Sequence, residues 1–541
     1  MLMRRIVEVA ADLGLSEDDL EQYGPYKAKI TAETMARLSA KEAGGQRGRL
    51  VLVTGMTPTT AGEGKTTTSL GLVQALRQQG AKATVALREP SVGPVMGIKG
   101  GGTGGGASEA LPADDINLHF TGDLHAITTA NNLLSAVIDN SMFHGNPHGL
   151  DARRITWRRC LDMNDRALRN LVVGMGGTMD GIPREEGFDI TPASEVMAIL
   201  SVASDLGDLH ARLGRVIVGY TRDIQPVTCK DLGVDAAMTV LLKQAMQPNL
   251  VQTSDGGPAF VHGGPFANIA LGCNSIVATR AALTTSDIVI TEAGFGSDLG
   301  AEKFLNVVSR FGGFNPEVVV IVTTARAIKR HGGRDAKDLE VEDLAALDAG
   351  MSNLDAHIDN MQQHGVTPVV AINRFPSDTD AEVAAIAAHC AARGVRSAEA
   401  NPFGGGGEAC LDLGEAVQEA LAKEPGSVRR LYELEAPLKE KIETVARRVY
   451  GAGNVVYLRQ AELTLRRMKR LEMEDLPICV AKTQYSLSDN AGLLGRPQNH
   501  EFTVREVRPS AGAGFLVVIS GDIMTMPGLP KEPAALSFAV D

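Results

Sequence analysis

The sequence predicts an α/β fold built as a doubly wound, mostly parallel sheet, and three observations predict it. Short β-branched runs bounded by glycine or turn residues recur at residues 50–53, 84–87, 216–218, 288–290, 318–322 and 369–372. Each is apolar throughout, which is how parallel strands covered on both faces read. Between them stand helical patterns such as Leu72, Ala75 and Leu76 at i, i+3, i+4 spacing, closed by Gly80 as the expected C′ residue. A glycine-rich loop joins the first strand directly to that helix. Strand and helix in alternation are the mark of a doubly wound sheet.

The chain has 541 residues, too many for one core, so roughly three folding units are expected. The alternation holds over residues 1–110 and 253–423, which form the expected core domain. Residues 111–252 interrupt it with longer helical patterns, for example residues 194–206, and read as an inserted, mainly helical or α+β segment. Charge density rises after Lys423 through Arg429, Arg430, Glu433, Glu435, Lys439, Glu440 and Lys441, and the tail turns strand-like at residues 515–519. Residues 424–541 are therefore expected to form a C-terminal α+β domain.

A formal charge of -12 argues against a surface made to neutralise nucleic-acid phosphates. The six cysteines (Cys160, Cys229, Cys273, Cys390, Cys410 and Cys479) show no CxxC spacing, so neither a disulfide framework nor a zinc site is expected. No secretory leader follows Arg4 and Arg5, and no apolar run approaches a membrane span. The expectation is a cytoplasmic protein with no membrane and no nucleic-acid partner.

The loop after the first strand carries Thr60, Ala61, Gly62, Glu63, Gly64, Lys65, Thr66 and Thr67, and a helix follows at once. Glycines let backbone N–H groups converge on phosphate oxygens, and the helix N-terminus adds its positive end. Lys65 can reach β and γ phosphates, and Thr66 can hold magnesium. The pattern differs from GxxxxGK[ST] in having Thr59 at the first glycine position, after Pro58. The reading is a P-loop NTPase-like core that binds ATP.

After the second strand come Arg88 and Glu89, then Lys99 and the glycine runs at 100–102 and 104–106. Ligands of such sheets sit beyond the carboxyl ends of the strands, which places Arg88 and Glu89 toward the phosphate loop. A planar guanidinium there can grip a carboxylate and a phosphate together.

The residues Thr57-Pro58-Thr59-Thr60-Ala61-Gly62-Glu63-Gly64-Lys65, Arg88-Glu89-Pro90-Ser91 and Asp115-Ile116-Asn117-Leu118-His119-Phe120-Thr121-Gly122-Asp123 resemble formate–tetrahydrofolate ligase, or formyltetrahydrofolate synthetase. The resemblance continues through Phe188-Asp189-Ile190-Thr191, Phe260-Val261-His262-Gly263-Gly264-Pro265-Phe266-Ala267-Asn268, Glu292-Ala293-Gly294-Phe295-Gly296 and Asn373-Arg374-Phe375-Pro376-Ser377-Asp378. It ends with Lys482-Thr483-Gln484-Tyr485-Ser486-Leu487-Ser488-Asp489 and Gly521-Asp522-Ile523-Met524-Thr525-Met526-Pro527-Gly528.

That resemblance implies a three-domain α/β homotetramer with magnesium-ATP as substrate and a monovalent cation, K+ or NH4+, as activator. It implies formate and tetrahydrofolate as the other substrates, joined through formyl phosphate to give 10-formyltetrahydrofolate, ADP and phosphate. Lys65 and Arg88 take the catalytic roles, on the transferred phosphoryl group and the formyl phosphate. Asn373 and Phe403 join the loop residues as ATP contacts. Phe295, Phe375 and Pro376 form the folate pocket, since aromatic faces hold a flat pterin, with Glu89 and Asp123 as further folate or cation contacts. Thr66 and Glu292 are the metal candidates.

Three positions depart from the resembled family: Phe403 stands where a tryptophan is usual, Ala107 where a tyrosine is expected and Leu271 where a histidine is expected. Two other readings therefore stay open at this stage. One is a P-loop ATPase switch; the other is a folate- or nucleotide-binding homologue with weak or lost ligase turnover.

Overall fold

The structure, a computed structural model, describes residues 3–45, 47–99 and 101–538. Its centre is a mostly parallel sheet. Seven strands run parallel: β1 Arg49–Gly55, β2 Ala83–Leu87, β3 Pro258–Val261, β4 Ile288–Glu292, β5 Val318–Thr323, β6 Thr367–Asn373 and β7 Arg396–Ala400. Their spatial order is β3-β2-β4-β1-β5-β6-β7. Beyond β3 the sheet continues antiparallel through Asn249–Thr253, Ala28–Ile30 and Leu20–Gln22.

Alternate residues of each strand enter different cores. Val51, Val53, Ile290, Val320 and Val369 pack with α1, Lys65–Gln78, on one face. Leu50, Leu52, Val289, Ile321 and Val370 enter the larger core on the other. Both faces are dry, which is why these strands read as unbroken apolar runs. Gly80 follows the end of α1 with φ 86°, a conformation that costs glycine no Cβ clash.

Between β2 and β3 the chain forms α2, Asp123–Phe143, and several small sheets. Two expectations are corrected there. Residues 216–218 do not join the parallel sheet: the strand is Ile217–Thr221, and it pairs antiparallel with Leu150–Ile155 and Pro226–Thr228. Ile217 and Tyr220 pack with Ala511, Leu471 and Met473 while Val216 and Val218 enter the large core, so burial on both faces and not parallel pairing produced the apolar run. The helical pattern over residues 194–206 stops short: the helix is Glu195–Val202, and a separate one, Leu206–Gly214, begins where the Asp205 side chain accepts from Asp208 N–H.

After β5 come α3, Ala325–His331, and α4, Leu344–Gln363. The C-terminal residues add a parallel pair, Ala452–Tyr457 with His500–Val504, and a three-stranded sheet of Ile478–Ala481, Phe515–Ile519 and Glu506–Ser510. These pack around Ile442, Val445, Met468, Phe502 and Leu516. Among the described residues no helix is long and apolar enough to cross a membrane.

Candidate active site

Apart from Glu89 and Asp123, the candidate site residues read from the sequence gather beyond the carboxyl ends of β2, β4, β1, β6 and β7, where an open parallel sheet exposes its strand termini. β1 ends at Gly55, and the chain loops through Met56 to Gly64 before α1 begins at Lys65. Gly62 and Gly64 hold φ of 79° and 75°. A Cβ on Gly64 would stand 2.5 Å from Asn373 Nδ2, an amide that donates to the Glu63 carbonyl at 3.0 Å. Gly64 therefore answers two demands, the left-handed turn and the close approach of β6. The first turn of α1 has no side-chain cap, so its N–H groups and dipole offer an anion site.

Glu63 is buried and faces inward. Its carboxylate accepts from Thr59 N–H at 2.7 Å, from the Thr59 hydroxyl at 2.8 Å and from the Thr324 hydroxyl after β5. It braces the loop from within, while Thr60 and Ala61 are exposed at its tip. Of these bonds, the one from the Thr59 hydroxyl is the support that a glycine at the usual first position would lack.

Arg88 leaves the end of β2 and donates through Nε to Glu292 Oε1 at 3.1 Å. Glu292 ends β4, and its other oxygen accepts the Thr66 hydroxyl at 2.8 Å. Burial alone would raise the Glu292 carboxyl, yet Arg88, with Thr66 and Lys65, holds it below the usual carboxylate range. The buried carboxylate is therefore ionised. Arg88 is 22% exposed against 3% for Glu292, so the rest of its guanidinium fork opens outward. Gly294 makes room for it, because a Cβ there would lie 2.9 Å from Arg88 Nη1.

Phe295 follows with φ 58°, a left-handed conformation that a bulky residue rarely adopts and that marks functional sites. Phe375 and the exposed Pro376 follow β6, three strand spacings or roughly 14 Å from Phe295 across the sheet edge. The glycine loop lies between them. The Arg326 guanidinium stacks on Phe375 at 3.7 Å, and Asp378 accepts the Phe375 N–H at 2.8 Å. Phe403, past β7, is 67% exposed, and its carbonyl accepts the Ala107 N–H at 2.9 Å. Two of the three departures from the resembled family are thus neighbours. Leu271 is fully buried in the core.

Glu89 and Asp123 are not brought to the Arg88 side. They are 5% and 2% exposed. Asp123 pairs with Lys29 at 2.8 Å, within an ion pair that is itself buried, and accepts from Asn249 at 2.8 Å. Burial and the facing Asp123 push the Glu89 carboxyl well above its ordinary value, and one Glu89 oxygen has no partner. Gly100 lies outside the described residues.

Sequence reasoning missed the braces. Thr324, His331, Asn353 and His357 come from α3, α4 and the loop before α3, hundreds of positions from the glycine loop they hold, and no local pattern announces them or the Arg326 that covers Phe375. Among the described residues no group of three or more His, Cys, Asp or Glu could hold a metal by itself. A family model described as formate–tetrahydrofolate ligase matches residues 1–541. With its whole length matched, the chain belongs to the formate–tetrahydrofolate ligase family and is a ligase.

Proposed function

We propose that the crevice binds ATP on the glycine loop, activates formate as formyl phosphate, and passes the formyl group to the amine of tetrahydrofolate. The observation that carries this reading is the Arg88–Glu292–Thr66 arrangement beside Lys65 at the start of α1. Formate is a resonance-stabilised carboxylate and resists amine attack until it carries a good leaving group. One formate oxygen attacks the γ phosphorus and ADP leaves, while Lys65 and the N–H groups of α1 stabilise charge on the transferred oxygens. Positioning accounts for most of such a step. The amine nitrogen then attacks the formyl carbon, Arg88 stabilises the oxyanion, and the C–O bond breaks as phosphate departs with the proton given up by the amine, leaving 10-formyltetrahydrofolate.

Thr66 and Glu292 fit the magnesium ion that accompanies ATP, since an ionised, buried carboxylate beside a hydroxyl suits a hard cation whose other ligands are phosphate and water. Glu89 and Asp123 fit a monovalent cation, K+ or NH4+. The unpartnered Glu89 oxygen, buried and facing Asp123, supports this. Phe295, Phe375 and Pro376 supply apolar faces for the folate ring, and Phe403 with Asn373 lies on the nucleotide side. The family's tetrameric assembly and a cytoplasmic setting belong to the same proposal.

The test mixes protein, magnesium-ATP, formate and tetrahydrofolate and follows formyl product by absorbance. Lys65→Ala and Arg88→Ala should each abolish product. ATP hydrolysis indifferent to formate and folate would instead favour a nucleotide switch, and near-normal turnover by Arg88→Ala would remove its assigned role.

A further inference from the structure

All three polar groups of Thr57, at the base of the glycine loop, are held by side chains from α3 and α4. Its N–H donates to His357 Nε2 at 2.8 Å, its hydroxyl oxygen accepts from Asn353 Nδ2 at 3.1 Å, and its carbonyl lies 3.1 Å from His331 Nε2. Two of these three residues also grip Gly495, in the C-terminal part of the chain. Gly495 N–H donates to His331 Nδ1 at 3.2 Å, and the second N–H of the Asn353 amide reaches Gly495 O at 2.8 Å. His331 is 5% exposed and Asn353 fully buried.

The tautomer of His331 follows from its partners. A backbone N–H can only donate, so Nδ1 is the lone-pair nitrogen and Nε2–H donates to the Thr57 carbonyl. One neutral imidazole thus links the C-terminal backbone to the loop, and the Asn353 amide runs parallel to it. Each partner is buried where water cannot replace it, so breaking either end leaves a polar group unsatisfied.

We propose that His331 and Asn353 are positioning residues that tie the glycine loop, through Thr57, to the C-terminal segment at Gly495, so that ATP binding depends on that segment. The inference rests on the reading of the loop as the nucleotide site. It assigns the C-terminal residues a part in nucleotide affinity without contact with the nucleotide.

Two substitutions cut the tie at different ends. The amide of His331→Asn reaches only as far as Nδ1 and keeps Gly495; the amide of His331→Gln reaches as far as Nε2 and keeps Thr57. In the full-length protein both should raise the KM for ATP by fivefold or more, with the KM for formate and kcat changed less than twofold. Asn353→Leu should do the same. Folded variants with unchanged ATP KM, or with all KM values raised alike, would overturn the tie. Hydrogen exchange on the unmodified protein gives a second measure: a non-hydrolysable ATP analogue should slow exchange in the peptide around Gly495, and no change there would count against the proposal even if the variants failed to fold. Direct binding of magnesium-ATP to the unmodified protein separates the two readings, since no binding at all would defeat the nucleotide site itself.

Discussion

Arg88 and Glu292 meet at 3.1 Å where β2 and β4 end, and the same carboxylate takes the Thr66 hydroxyl at 2.8 Å. One buried anion thereby joins the proposed formyl-phosphate grip to the first turn of α1. Glu292→Gln keeps the shape and removes the charge. We expect kcat/KM for ATP to fall on the order of 10²-fold, the scale of losing one preorganised electrostatic group. Steady-state kinetics would check this, and a loss under threefold would count against a role for the carboxylate.

Gly64 is the loop position with the least freedom. Alanine there must adopt φ near 75° and push on Asn373, whose amide lies 2.5 Å from the new Cβ. The backbone cost is about 1 kcal/mol before the collision is counted. Gly64→Ala should raise the KM for ATP at least tenfold, equivalent to about 1.4 kcal/mol. Equilibrium nucleotide binding would show it, and wild-type affinity would refute the constraint.

The Lys29–Asp123 pair is 0% and 2% exposed on its two side chains. Lys29→Met leaves Asp123 charged, buried and facing Glu89, and should cost about 3–5 kcal/mol. Adding Asp123→Leu should recover a large part of that loss, because the uncompensated charge is gone. Urea denaturation of the single and double variants would decide, and equal losses in both would argue that packing and not charge is responsible.

Four buried histidines weaken the fold in acid. His262, His331, His357 and His364 are each held at about 4 against an ordinary 6.5, with burial as the main cause. Their folded pKa values lie below the unfolded ones, so the unfolded state binds more protons as pH drops. The stability these rings contribute is therefore complete above pH 6.5 and is lost progressively down to about 4, by an amount on the order of 3 kcal/mol per histidine if each titrates alone, while Glu195 and Glu302, held up at about 7 by burial, act in the opposite sense over the same range. In a Glu195→Gln/Glu302→Gln variant, which lacks these opposing carboxyls, denaturant midpoints at pH 7.5, 5.5 and 4.5 should fall in that order. A flat profile would contradict the neutral, buried state of these rings.

Phe403 is exposed beside Ala107, where a tryptophan and a tyrosine would be usual. Phe403→Ala should weaken ligand binding at this wall by about 1 kcal/mol and Phe403→Trp should strengthen it, following stacked area. Fluorescence titration of the tryptophan variant with nucleotide and with folate would tell which ligand uses the wall, and no response to either would exclude it.

Five of the seven parallel strands described, the end of α1 at Gly80, and the placing of Lys65, Thr66 and Arg88 just beyond strand ends were legible in the sequence by itself, because backbone burial and glycine conformation leave local signatures. The antiparallel pairing of Ile217–Thr221 was not, since an apolar run records burial and says nothing of direction. Only the tertiary structure decided that Glu63 turns inward, that Asp123 closes on Lys29 with Glu89 facing it, and that Thr57 is held by His331, Asn353 and His357. Those contacts join residues up to 300 positions apart. A buried polar group must find its partner wherever the fold brings one, and that requirement leaves no periodicity to read.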